Sequence, residues 1–233
     1  MTDGYGRKIE YLRMSVTDAC NLRCAYCMPE EGMRVCPCKS AMSADEFVEI
    51  ASAAAELGVN KLRITGGEPL LRGDIVELTR ELGKIDGIED ISMTTNATLL
   101  APMAEDLYKA GIHRINISLD TLDAKKYEDM TRGGKLSDAL EGLRAAMYAG
   151  MRPVKLNAVL IGGFNDTEIE TLAELTQAYP VELRFIELMP IGHTSCFPKS
   201  AYIPDSVVLQ KLPGLEPVES APHSVARLYK LPH

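Results

Sequence analysis

The 233-residue sequence predicts an α/β fold, a partial (β/α)6 barrel of the TIM-like kind. Two observations carry this expectation. Six strand-like segments alternate with amphipathic helices, the order that builds a parallel sheet from βαβ units. Each strand also alternates polar with apolar residues, whereas a parallel strand buried on both faces runs continuously apolar. A flat doubly wound sheet is the alternative arrangement of the same units. The whole of 1–233 reads as one domain, with an N-terminal extension at 1–10 and a tail at 204–233.

Taken in order, residues 11–16 form the first strand, with Leu12, Met14 and Val16 opposite Arg13, Ser15 and Thr17. A cysteine loop follows. Ser43-Ala44-Asp45-Glu46 is a capping box, and a helix runs from it to about Leu57, stopped by Gly58. The second strand, 61–64, sets Leu62 and Ile64 against Lys61, Arg63 and Thr65, and Gly66-Gly67-Glu68 comes next. A helix over 74–84 leads to the third strand, 90–94, where Ile91 and Met93 oppose Ser92 and Thr94. A helix over 103–110 ends at Gly111. The fourth strand, 114–118, sets Ile115 and Ile117 against Asn116 and Ser118. A helix over 137–149 ends at Gly150. The fifth strand, 154–160, sets Val154, Leu156 and Ala158 against Lys155 and Asn157. A helix over 168–179 precedes the sixth strand, 182–187, where Leu183 and Phe185 oppose Arg184. Residues 205–212 read as a short helix and 225–231 as one more strand.

This alternation has a chemical consequence. Helices must cover the apolar face, so the polar face lines the barrel interior. An unpaired cation in a dry interior is very costly. Arg13, Lys61, Arg63, Lys155 and Arg184 therefore predict a wet cavity that receives an anion, and phosphate suits both guanidinium and ammonium groups. The competing reading pairs these cations with inward acids such as Glu68, Asp120 and Glu187.

Composition narrows the function classes. A net charge of −8 argues against nonspecific nucleic-acid binding, and no apolar run approaches a membrane span. The N-terminus lacks the apolar core of a signal peptide. Six cysteines without a secretion signal indicate reduced thiols in the cytoplasm. None of the four histidines is assigned a catalytic role.

Cys20, Cys24 and Cys27 are spaced C-x3-C-x2-C. Three thiolates with no fourth ligand suit an iron–sulfur cluster that keeps one iron open, while structural zinc wants four ligands. Cys36 and Cys38 read as incidental loop thiols, and Cys196 as another.

With Tyr26 ahead of the third cysteine, this stretch resembles the radical S-adenosylmethionine (SAM) superfamily. More closely, the chain resembles the GTP 3′,8-cyclase family of molybdenum-cofactor biosynthesis. The marks are the segments 12–18, 63–72, 94–96, 118–122, 155–159 and 184–190. The resemblance implies the radical SAM form of the partial barrel. Cys20, Cys24 and Cys27 would hold a 4Fe–4S cluster. Tyr26, Gly67, Ser118 and Met189 would contact SAM, and Arg13, Lys61, Arg63, Thr94, Lys155 and Arg184 would contact GTP. It implies a lyase that draws an electron from a donor and cleaves SAM to a 5′-deoxyadenosyl radical. That radical removes hydrogen from C3′ of GTP, whose sugar carbon then attacks C8 of guanine. No membrane or nucleic-acid partner is implied, and a homodimer is left open. No cysteine follows Cys196, so the family's second-cluster segment is expected to be missing. Two alternatives stand beside this reading: a radical SAM enzyme on a different anionic or nucleotide substrate, and a non-catalytic or partner-completed remnant.

Overall fold

The computed structural model describes residues 2–30, 42–219 and 226–232. Cys36 and Cys38 lie outside these residues, as does the side chain of Cys196. Six strands form one sheet: β1 (Tyr11–Ser15), β2 (Lys61–Thr65), β3 (Asp90–Thr95), β4 (Ile112–Ser118), β5 (Val154–Leu160) and β6 (Val181–Glu187). They are parallel throughout and follow chain order across the sheet, from β1 to β6. A doubly wound sheet would reverse order at a switch point. This one never does, so its helices wind one way, as in a barrel. β1 and β6 do not pair, which leaves the barrel open.

Among the described residues seven α-helices accompany the strands: α1 (Ala44–Glu56), α2 (Ile75–Leu82), α3 (Ala104–Ala110), α4 (Ala124–Thr131), α5 (Leu136–Tyr148), α6 (Ile169–Ala178) and α7 (Ser206–Lys211). α1 begins as the capping box requires. The Ser43 hydroxyl accepts from the Glu46 amide at 3.2 Å, and Glu46 accepts from the Ser43 amide at 2.7 Å. The apolar strand residues Leu62, Ile64, Met93, Ile115, Ile117 and Leu156 share one core with Ala51, Leu78, Leu107 and Ala146 of the helices. The period-two alternation therefore divides the sheet as expected, with helices on one face and polar side chains on the other.

Two elements depart from the sequence reading. α4 was not expected, although its Asp123 cap accepts from the Lys126 amide at 2.9 Å. The strand expected at 225–231 is shorter, β8 (Leu228–Lys230), and it pairs antiparallel with β7 (Glu216–Val218) in a separate two-stranded sheet. Among the described residues no helix is long and apolar enough to cross a membrane.

Candidate active site

The cysteine loop leaves the C-terminal end of β1, where barrels place their reactive groups. Hydrogen bonds carry the β1–β2 pairing past the strand ends into this loop. The Gly67 amide donates to the Thr17 carbonyl at 2.6 Å, and the Glu68 amide to the Ala19 carbonyl at 2.8 Å. A Cβ on Gly67 would overlap the Ala19 carbonyl oxygen. The chain itself thus leaves no room for a side chain at this position, and the backbone of Gly67 lies directly against the cysteine loop.

Glu68 is buried at 1% exposure, and among the described residues no cation pairs with it. Its carboxylate accepts from the Leu70 amide at 3.1 Å, the Thr95 hydroxyl at 2.6 Å and the Asn96 amide at 2.8 Å. Burial still holds its pKa above the ordinary value, the three bonds opposing. Asn96 donates in turn to the Asn21 side chain at 2.9 Å. The turns after β2 and β3 are thus bonded to the cysteine loop through one carboxylate.

On the other flank the Tyr26 hydroxyl donates to Asp120 at 2.8 Å. The second Asp120 oxygen accepts from the Val159 amide at 2.8 Å. Burial pushes Asp120 up to about 6, against the pull of these two bonds. Glu187 accepts from the Asp205 amide at 2.6 Å. Among the described residues none of these three acids pairs with an interior cation, yet the competing reading holds in part, since Lys155 and Lys61 have other carboxylates beside them.

Within the loop, the amides of Cys27 and Met28 donate to the Cys24 carbonyl at 2.8 and 3.2 Å. This turn sets Cys24 and Cys27 near each other. Burial first, then the charges of Asp120, Cys27 and Cys20, push the Cys24 thiol up to about 12. Burial likewise raises Cys20 and Cys27. Three clustered thiols that resist ionisation need a cationic centre to become thiolates, and iron supplies it. Among the described residues no three Cys, His, Asp or Glu side chains gather around one point as a single-ion site. Ligands that each take a different iron of a cluster need no such common point, so the donor set fits a 4Fe–4S cluster.

The cationic face is built by register. Arg13 lies beside Arg63, and Arg63 beside Ser92 and then Arg114. Further along, Thr94, Asn116 and Lys155 align, then Ser118, Asn157 and Arg184. Burial, and then the positive charges of Arg184, Arg114 and Arg13, hold the Arg63 guanidinium below its usual value, with Tyr11 acting against them. Arg13 and Arg184 belong to the two edge strands. That both act on Arg63 requires the sheet to curl. Among the described residues Arg13, Arg63 and Arg184 have no carboxylate partner. Arg13 reaches the Thr65 hydroxyl at 3.4 Å, and Arg63 reaches the Ser92 hydroxyl at 3.3 Å and covers the Tyr11 ring.

Lys155 is paired with Glu182 at 2.6 Å, a partner the sequence reading did not name. Lys61 opens β2 at its N-terminal end, half-exposed and 3.9 Å from Glu10. It is the candidate farthest along the strands from the cysteine loop. Arg114 was missed as a further interior cation, held by Asp90; extending the alternation of β4 back by one step finds it. Thr94 and Ser118 are half-buried on the polar face, and Met189 is exposed beyond β6. Asn157, between Ser118 and Arg184, keeps a buried side-chain oxygen with no partner.

Residues 14–176 match the model of the radical SAM superfamily. The chain is 48% identical to the GTP 3′,8-cyclase of Alkaliphilus oremlandii over 232 residues, and 50% identical to that of Peptoclostridium acidaminophilum over 234. Each alignment covers 100% of this chain and 72% of the relative. The chain belongs to the GTP 3′,8-cyclase family of radical SAM enzymes. Solved structures agree on the fold. Streptococcus suis SuiB bound to precursor peptide SuiA superposes with a TM-score of 0.66 at 20% identity, over 87% of this chain and 44% of that one. Methylornithine synthase does so with a TM-score of 0.66 at 15% identity, over 88% and 62%. As a member of this family, the protein is a radical SAM enzyme whose cofactors are a 4Fe–4S cluster and SAM.

Proposed function

We propose that this GTP 3′,8-cyclase family member acts on GTP, bound through its triphosphate on the cationic face. The observation that carries the reading is the convergence of Arg13, Arg63 and Arg184 from three strands, with no carboxylate partner among the described residues. Lys61, Thr94 and Lys155 complete the proposed contacts to the substrate. Lys155 would exchange Glu182 for a phosphate oxygen.

Cys20, Cys24 and Cys27 are the residues proposed to hold the cluster. Tyr26, Gly67, Ser118 and Met189 are those proposed to contact SAM. When bound, these cofactors supply the one-electron cleavage that generates the 5′-deoxyadenosyl radical, with the electron coming from an external donor. The chain's own residues do the positioning. Glu68 and Asp120 fix the two flanks of the cysteine loop, and the cations orient the nucleotide by its phosphates. Three partly exposed free thiols suit a reducing compartment, so the proposed location is the cytoplasm.

The test is the ranking of ligands by thermal stabilisation, since ligands that bind the folded state raise its melting point. GTP should stabilise most, pyrophosphate less and guanosine least. Arg63→Ala should weaken GTP binding by about 1.5–3 kcal/mol, the range for hydrogen bonds to charged groups. If guanosine stabilises as well as GTP, the triphosphate is not the handle and the substrate assignment falls.

A further inference from the structure

Helix α4 ends against the cysteine loop in an unusual way. The last carbonyls of a helix have no partner within it. Here the loop supplies two: the Ala25 amide donates to Met130 at 2.8 Å, and the Arg23 amide to Thr131 at 3.0 Å. The next residue, Arg132, is the helix C-cap and lies in the left-handed region at φ 56°. Its guanidinium donates to the carbonyls of Arg23 at 3.1 Å and Met28 at 2.9 Å. These two residues bracket the segment that carries Cys24 and Cys27. Gly134 completes the seat. A Cβ there would crowd the Thr131 hydroxyl, and it would lie 2.8 Å from Leu22 of the loop.

A non-glycine residue in the left-handed region costs roughly 1–2 kcal/mol. Glycine would remove that cost, but it would also remove the guanidinium. The strained position is accounted for by what the side chain reaches.

We infer that Arg132 is a positioning residue for the cluster. It clamps the cysteine loop onto the end of α4 and so holds Cys24 and Cys27 in the conformation that retains iron. The inference rests on these cysteines being the ligands. Nothing in the segments that resemble the family includes Arg132, and charge alone does not explain it, since no carboxylate pairs with it among the described residues.

The experiment compares the parent with Arg132→Gly and Arg132→Lys, each measured metal-free and after anaerobic reconstitution. Arg132→Gly relieves the backbone and should leave the melting temperature near the parent's. In the metal-free chain, amide exchange at Arg23 and Ala25 should quicken by about tenfold, with exchange in α5 unchanged, as expected for losing two hydrogen bonds. In the reconstituted chain, iron should pass to a chelator at least several-fold faster, and the electron paramagnetic resonance signal of the reduced cluster should broaden. Both bonds leave the same guanidinium nitrogen, so Arg132→Lys, whose one ammonium can serve both carbonyls from a side chain one bond shorter, should lose iron more slowly than Arg132→Gly; iron loss as fast as in Arg132→Gly counts against the clamp. Parent-like exchange at Arg23 and Ala25, or parent-like iron retention in Arg132→Gly, overturns the clamp. A parent chain that takes up no iron overturns the ligand reading instead, and the exchange measurement still decides the clamp.

Discussion

Asp120 joins three parts of the chain with two oxygens, one receiving Tyr26 of the cysteine loop and the other the Val159 amide of β5. Burial costs it charge stabilisation, so its folded value of about 6 stands above the 3.8 of an exposed aspartate. The folded chain then holds more protons than the unfolded chain between those values. The associated stability is complete below pH 3.8 and is lost as pH rises through about 6. A displacement of that size is worth on the order of 3 kcal/mol. In metal-free protein, Asp120→Asn should therefore flatten the dependence of stability on pH between 4 and 7, read by urea unfolding. Parallel curves for parent and variant would count against it. Gly67 makes a second residue-scale case. Gly67→Ala sets a Cβ against the Ala19 carbonyl, backbone against side chain with nothing flexible to yield. We expect a loss of about 3 kcal/mol from overpacking, together with reduced iron loading because Ala19 precedes Cys20. A variant that melts like the parent and loads normally would refute this. From sequence alone Gly67 is visible as a position that tolerates no side chain, but what excludes the side chain is visible only when the two loops are seen side by side.

Helix α4 escaped sequence reading because it offers little to read. Half of its eight residues, Ala124–Thr131, are charged, and Tyr127 and Met130 are its only large apolar side chains. One i, i+3 pair makes no periodic stripe. Its start signal, Asp123, was present, yet such a cap also begins a turn. The longer elements were legible because their apolar faces repeat: the residues of β2 and β5 named as inward or outward fall on those faces. β7 was hidden by Pro217 and by a length of three residues. Helix packing yields another prediction. Gly142 sits inside α5, where alanine is ordinarily better by about 1 kcal/mol. Yet a Cβ there would strike the carbonyl of Ala97, which is fully buried in the turn after β3. Overpacking of backbone costs about 1–3 kcal/mol and should win. Gly142→Ala should lower the melting temperature; an increase would show that the turn can yield.

Across the whole molecule, strand order and charge serve one arrangement. Chain order from β1 to β6 lets the sheet curl, and the curl brings the edge cations Arg13 and Arg184 into the field of Arg63. The polar face therefore carries repulsion among Arg13, Arg63 and Arg184 that no carboxylate among the described residues neutralises. Arg63→Met should raise the stability of the ligand-free protein by about 1 kcal/mol, the order of a partly screened pair of like charges near a protein surface. It should also abolish most of the stabilisation given by GTP. Finding both effects absent in calorimetry would remove the basis for a shared anion site on this face.

The cationic interior sits inside a chain whose net charge is −8. A nucleotide approaching from a distance meets the outer, acidic field first and feels the inner cations only within about 10 Å at moderate salt. Salt then acts in opposite directions on arrival and on residence. Raising it from low ionic strength should speed the encounter by masking the outer repulsion, and hasten departure by masking the inner attraction. Stopped-flow measurements should show both the association and the dissociation rate constants for GTP rising with salt, a pairing that a uniformly basic surface cannot give, since there the encounter only slows.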